Sequence, residues 1–209
     1  RASELTRGLY QAISSGVSEA DGLKFIEVSA KAAKAGLSTV FETVDVGTTI
    51  LNSYNLKVTD TASVFDKLFE TVKRGKVEFP QLAQSVGLVV PVAAQAGVKL
   101  EEMLAVIATS TRAGLRPSVA IEGLRSALTN IIKPSNDAKD LAAQLGIEFS
   151  ASALKAKGFA QFITEVQQAT KGNADQLAVL FGDVQGLTSI LSIGGSNARG
   201  FAEDLKALS

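Results

Sequence analysis

The run Thr61-Ala62-Ser63-Val64-Phe65-Asp66-Lys67-Leu68-Phe69-Glu70-Thr71-Val72-Lys73-Arg74-Gly75 decides the fold class. Val64/Phe65, Leu68/Phe69 and Val72 recur at three- and four-residue spacing. Asp66, Lys67, Glu70, Lys73 and Arg74 fall on the other side, which is the pattern of a helix buried along one stripe. The same period continues outward. Leu100, Met103/Leu104, Ile107 and Thr111 repeat it. Ile121, Leu124, Leu128 and Ile131 form a stripe flanked by Ala120 and Ala127, which are small enough to admit a close neighbour. No run alternates strictly with period two. The chain is therefore predicted to be all-α, a compact domain of about 10–12 short to medium helices joined by Gly-apolar turns. The expected helices cover approximately 19–35, 39–53, 60–73, 80–86, 90–96, 100–113, 117–133, 136–145, 159–170, 174–181, 184–192 and 197–208.

The stops and starts set these bounds. Gly36-Leu37, Gly97-Val98, Gly114-Leu115, Gly146-Ile147 and Gly158-Phe159 read as ends where glycine turns left-handed and the next apolar residue packs back. Asn55-Leu56 reads the same way, asparagine being the next most tolerant residue there. Ser18-x-x-Asp21 and Asn173-x-x-Gln176 resemble capping boxes, Ser38, Thr59 and Ser135 are expected N-caps, and Pro117 suits a first turn. The stops are unevenly spaced, which argues against a fixed-period solenoid. Pro134-Ser135 is the best internal boundary. It divides a core with the longer helices, 1–134, from a shorter-helix part, 135–209, packed on it as one unit. Gly194-Gly195-Ser196 is a second soft point.

Composition removes much chemistry. Among 209 residues there is no Cys, no His and no Trp, which excludes disulfides, thiol nucleophiles, Ser-His pairs and zinc sites built on Cys or His. Lys and Arg number 21 and Asp and Glu 21, so the chain lacks the basic excess of a protein held by phosphates. The start, Arg1-Ala2-Ser3-Glu4, has no Met and no apolar run behind it; the sequence reads as a piece of a longer product without a signal peptide. The longest uncharged stretch, Phe79–Val98, contains Pro80, Pro91 and three glutamines, and is expected to pack as buried helix-turn-helix rather than to span a membrane.

The candidate sites each have a structural reading. Ser152-Ala153-Leu154-Lys155 matches the S-x-x-K pattern of Ser-Lys acyl enzymes, but neither S-D-N nor K-T-G accompanies it. Glu101-Glu102 could serve acid-base chemistry or Mg²⁺, yet adjacent residues point about 100° apart on a helix. Their place in a first turn suits the helix dipole. Asp60, Asp66 and Glu70 read as solvated helix charges. Lys73-Arg74-Gly75-Lys76 is a basic cluster at a helix C-terminus, where cations meet exposed carbonyls. No catalytic, cofactor-binding or metal residue is expected.

The middle of the chain resembles the core domain of phage tail tape measure proteins. Leu51-Asn52-Ser53-Tyr54-Asn55-Leu56 is similar to that family's L-N-x-Y-G-L turn, with Asn55 in the glycine place. Asp66-x-Leu68-Phe69-x-Thr71-Val72-Lys73-x-Gly75-Lys76 and Leu82-Ala83-x-Ser85-Val86-Gly87-x-Val89-x-Pro91-x-Ala93-Ala94 follow in order. Then come Gly97-Val98, Glu101-Glu102, Ile107-Ala108-Thr109-x-Thr111, Gly114, Leu124-Arg125-x-Ala127-Leu128, Pro134-Ser135 and Leu145-Gly146-Ile147. The likeness covers about Ala32 to Ile147 and weakens through Gly172 and Phe181-Gly182. Lys99 stands where the family favours a Ser cap.

The resemblance implies a structural protein of the virion or a prophage, inside the tail tube, made in the host cytoplasm. Its length would set tail length, template tube assembly and take part in genome ejection. It implies no enzyme and no cofactor. The implied partners are the tail tube protein, tail assembly chaperones, baseplate or tail-tip proteins and further copies of itself, three per tail. A ruler at 1.5 Å per residue would make 209 residues roughly 310 Å long, and a chain with this many helix stops is not one rod. A compact helical domain within a more fibrous parent is expected. The other reading is a membrane-active helical domain aiding genome passage across the host envelope, through Phe79–Val98 and Leu187–Ile193, with transient membrane contact and no specific nucleic-acid recognition.

Overall fold

The stripe of 61–74 turns inward as its spacing predicts: Val64, Phe65 and Leu68 are buried, while Asp66 stays at the surface. A computed structural model describes residues 2–209. Its order is α1 (Ala2–Ser14), α2 (Glu19–Ala35), α3 (Val40–Ser53), α4 (Thr61–Arg74), α5 (Phe79–Ser85), α6 (Val90–Ala96) and α7 (Leu100–Arg112). Then follow α8 (Pro117–Ile132), α9 (Asn136–Leu145), α10 (Ala151–Lys157), α11 (Phe159–Thr170), α12 (Ala174–Phe181), α13 (Val184–Ser192) and α14 (Ala198–Leu208). Three short 3₁₀ turns, Val58–Asp60, Val86–Leu88 and Gly195–Asn197, lead into α4, α6 and α14. The described residues contain no strand. The protein is a compact all-α domain.

α7 is the axis of the molecule. α4, α6, α8, α13 and α14 pack around it, and every residue from Glu102 to Thr111 is buried. α1, α2 and α3 form a three-helix group whose third member meets α5 and α6. On the far side α8 lies against α13, and α12 against α8 and α9. The α8–α13 approach is close because Gly123 carries no side chain: a Cβ there would sit 2.7 Å from the Gln185 carbonyl oxygen. Buried apolar residues form one cluster from Ala12 to Leu208, so the Pro134-Ser135 boundary does not divide the apolar core.

Two helices go beyond the sequence expectation, α1 and α10. α10 has only seven residues, too few to display a period. In α1 the stripe Leu5, Leu9, Ala12 and Ile13 has helical spacing, yet Leu5 and Ile13 on it remain exposed. The stretch Phe79–Val98 folds as α5, a 3₁₀ turn and α6, with Phe79, Leu82, Val86, Val89, Val90, Ala93 and Val98 buried. No helix among the described residues is long and apolar enough to cross a membrane.

Several helix ends follow the expected device. Gly97, Gly146 and Gly114 take positive φ of 77°, 70° and 106°, and Asn55 replaces a glycine at φ 52°. Gly36 does not. Its φ is −88°, and Leu37 takes the left-handed position at φ 52° with its side chain 89% exposed. What requires glycine at 36 is α5: a Cβ would lie 2.5 Å from the Phe79 ring. Gly158 is also a correction. With φ 80° and ψ 160° it is a one-residue joint between α10 and α11 rather than a left-handed cap. The starts shift similarly. Ser18, Ser135 and Asn173 accept the N–H three residues on, as expected. Thr39, not Ser38, caps α3, accepting from the Glu42 N–H at 3.1 Å while Ser38 donates to the Glu42 carboxylate. Thr59 caps nothing; Asp60 Oδ2 accepts from the Lys57 N–H at 2.9 Å and closes the 3₁₀ turn.

Candidate functional site

The Ser-Lys pair does not assemble. Ser152 and Lys155 both lie exposed on α10, no hydrogen bond joins them, and the Lys155 stem packs over Gly97. Glu101 and Glu102 also part company. Glu101 Oε1 pairs with Lys67 Nζ at 2.9 Å, tying α7 to α4. Glu102 is buried, and its two oxygens accept from two backbone donors: Oε2 from the Lys99 N–H and Oε1 from the Ala160 N–H, both at 3.1 Å. One carboxylate thus satisfies orphan donors at the starts of α7 and α11. Lys99 itself makes no side-chain cap, so Glu102 supplies only the half of a capping box that accepts the cap residue's N–H.

The basic cluster at the end of α4 is drawn into a polar junction. Arg74 Nε donates to Glu70 Oε1 at 2.7 Å, and Lys73 Nζ reaches Glu70 Oε2 at 3.4 Å. The Arg74 hydrogen bond holds the Glu70 carboxyl below its usual range. Lys76 donates its backbone N–H to Thr111 Oγ1 at 3.1 Å. Gly75 permits this approach, because a Cβ there would stand 2.7 Å from the same oxygen.

At the centre of the junction is a residue the sequence reading passed over. Asp204 of α14 is 1% exposed. It accepts from Thr109 Oγ1 at 2.6 Å, from Arg112 Nη1 at 3.0 Å and from Arg74 Nη1 at 3.4 Å. Arg112 Nη2 lies 2.8 Å from its second oxygen, and Arg112 Nη1 also donates to the Arg74 carbonyl at 2.9 Å. A buried carboxylate with two guanidiniums and a hydroxyl has its lone pairs met, which makes it a joint between helices. The signal for it is the spacing Phe201, Asp204/Leu205, Leu208, which puts an acid on the apolar stripe of α14.

An apolar opening lies elsewhere, between α1 and α2. Leu5, Leu9, Leu23, Ile26 and Ala30 line a groove of about 540 Å³, and Leu23 is 72% exposed. Glu27 and Lys31 pair at 2.6 Å on its rim, and the Lys31 hydrogen bond lowers the Glu27 carboxyl.

The described residues thus form a helical domain whose charged groups join its helices and whose first two helices leave an apolar groove open. The chain belongs to the phage-related minor tail protein family, whose model matches residues 1–183. That makes it a phage tail structural protein and a segment of tape measure type. Among curated relatives it is 25% identical to the probable tape measure protein of Clostridium phage phiCD119, over all of this chain and 23% of that protein. It is 24% identical to the probable tape measure protein of Escherichia phage P2, over 63% of this chain and 17% of that one. The tape measure protein of Pneumococcus phage Dp-1 is 26% identical over 69% of this chain and 13% of its own length. The chain thus spans about a quarter or less of these relatives. No solved structure gives a significant match.

Proposed function

We propose that the chain is a compact helical unit of a tape measure protein that sets tail length, templates tube assembly and takes part in genome ejection. It does so from the tail lumen, after synthesis in the host cytoplasm. The observation that carries this reading is the family match across residues 1–183 together with relatives named as tape measure proteins. Its contacts are the tail tube protein, assembly chaperones, baseplate or tail-tip proteins and further copies of the chain, three in each tail. It acts by binding and not by catalysis, and needs no cofactor; residues 1–134 and 135–209 work as one unit. The membrane-active reading is not favoured, because the uncharged stretch 79–98 is consumed by the core.

The test is an in-frame deletion of residues 36–147 in the encoding gene, with tail length read by electron microscopy. Those residues as continuous helix would span about 170 Å. A compact unit is expected to shorten the tail by far less than this while infectivity is lost. Loss of the full span would mean the segment lies extended as ruler, and unchanged length with unchanged infectivity would overturn the role.

A further inference from the structure

The α1–α2 hairpin has two faces, and one of them is uncovered. The helices run antiparallel, with Gly8 against Ile26 and Gly22 against Leu9. On the inner face a Cβ at Gly8 would stand 2.8 Å from both Ile26 and Val40, the first residue of α3. The outer face carries the groove lined by Leu5, Leu9, Leu23, Ile26 and Ala30. Of the twelve large apolar side chains left exposed among the described residues, four belong to these two helices: Leu5, Tyr10, Ile13 and Leu23. The groove also carries opposite charges at its ends. Glu19 precedes Leu23 by one turn on the same face of α2, where α1 turns into α2. Lys31 and Lys34 line the other end, near the start of α1. Lys31 pairs with Glu27, and Lys34 has no ion pair among the described residues. A helix lying here with its amino end beside Glu19 and its carboxyl end beside Lys34 meets an opposite charge at each terminus. From Glu19 to Lys34 is about 22 Å, or four turns.

We propose that the groove seats an amphipathic helix of the same polypeptide, from outside residues 1–209, lying parallel to α2 and antiparallel to α1. This rests on the reading of the chain as a tape measure segment, under which most of the protein lies beyond it. The chain covers only 23%, 17% and 13% of the three relatives. A shallow groove that holds a free helix weakly holds a tethered one well, because the tether raises its effective concentration. An apolar stripe at i, i+3, i+4 and i+7 fits a groove between two helices. The added helix makes α1 and α2 a middle layer between itself and α3, and takes Leu5 and Leu23 out of water.

The test uses the whole encoded protein. Residues 1–209 contain no cysteine, so Leu23→Cys places a single reporter in the groove once any cysteine elsewhere is changed to serine. Its reaction with a maleimide is timed in the folded protein and again in urea. Folding is expected to slow it by about tenfold or more, because the thiol is reached only when the helix lifts away. Equal rates overturn the proposal, as does an encoded protein with no residues beyond these 209. Glu27→Cys, on the same groove and 64% exposed, gives the same reading if Leu23→Cys fails to fold. A benzophenone maleimide on Lys34→Cys then identifies the occupant by mass spectrometry of cross-linked peptides. Attachment outside 1–209, in a band of monomer mass, is the expected result. Attachment to a second copy or to a different protein overturns the proposal. Tail length after deletion of 36–147 is read separately, so the tape measure role and the covered groove can fail independently.

Discussion

α1 and α7 are the same length, thirteen residues each, and have opposite fates. α7 buries every residue from Glu102 to Thr111 and carries the joints to its neighbours, including three hydroxyls. Thr111 Oγ1 accepts from the Lys76 N–H at 3.1 Å, Thr109 donates to Asp204, and Ser110 and Ser192 share a hydrogen bond at 2.6 Å. α1 buries little beyond Gly8 and Ala12 and presents Leu5, Tyr10 and Ile13 to solvent. The lesson is that burial follows the number of neighbours a helix acquires, not the strength of its own stripe. α1 packs against α2 and α3, and its Leu5 and Leu9 line the open groove with α2.

The difference should appear first in stability. Leu104→Ala on α7, with no exposed surface to relax into, is expected to cost about 3–4 kcal/mol by urea denaturation followed at 222 nm. A cost below about 1 kcal/mol would break the picture of α7 as the packed axis. Asp204→Ala strips the partner from two guanidiniums and Thr109 and should cost about 2–3 kcal/mol, less than a fully buried pair because Arg112 is 44% exposed. Gly123→Ala should cost about 2 kcal/mol, since the new methyl meets the Gln185 backbone and forces α8 from α13.

Glu42 sharpens the comparison on the α1 side. Gln84, Ser38 and the Thr39 backbone donate to its carboxylate and lower its pKa from 4.5 to about 2. The folded value lies below the unfolded one, so the contribution is complete above about pH 4.5 and is lost as pH falls toward 2. Glu42→Gln should cost about 1 kcal/mol at neutral pH and flatten that part of the acid limb. The smallest effect is expected at Leu23→Ser, within about 0.5 kcal/mol, with the change appearing instead as reduced binding of a hydrophobic dye. A large loss of stability there would show that the α1–α2 groove is core.

Legibility in the sequence tracked how local each decision was. The helices 61–74, 100–113 and 117–133 were readable because period and punctuation lie within one segment, and Asn55 was readable because few residues adopt a left-handed turn. Gly36 was misread for the reverse reason: its glycine answers the Phe79 ring, more than forty residues away, while Leu37 takes the strained backbone. The carboxylates show the same split. A first-turn position for Glu102 suggested the dipole of its own helix, but its second oxygen belongs to α11. Asp204 carried a signal, an acid on an apolar stripe, whose partners no spacing could name.

The amino-acid sequence by itself determined the all-α class, several of the helix ends, the absence of cysteine and histidine chemistry, and the likeness to tape measure proteins. These rest on periodicity, backbone preference and residue order, all of which act along the chain. Only the tertiary structure decided that α7 is the axis, that α14 closes onto α4 and α7 through one buried acid, and that α1 and α2 leave an apolar groove open. Those outcomes depend on which surfaces meet, and contacts such as Thr109 with Asp204 or Lys67 with Leu208 join residues that local rules treat as strangers.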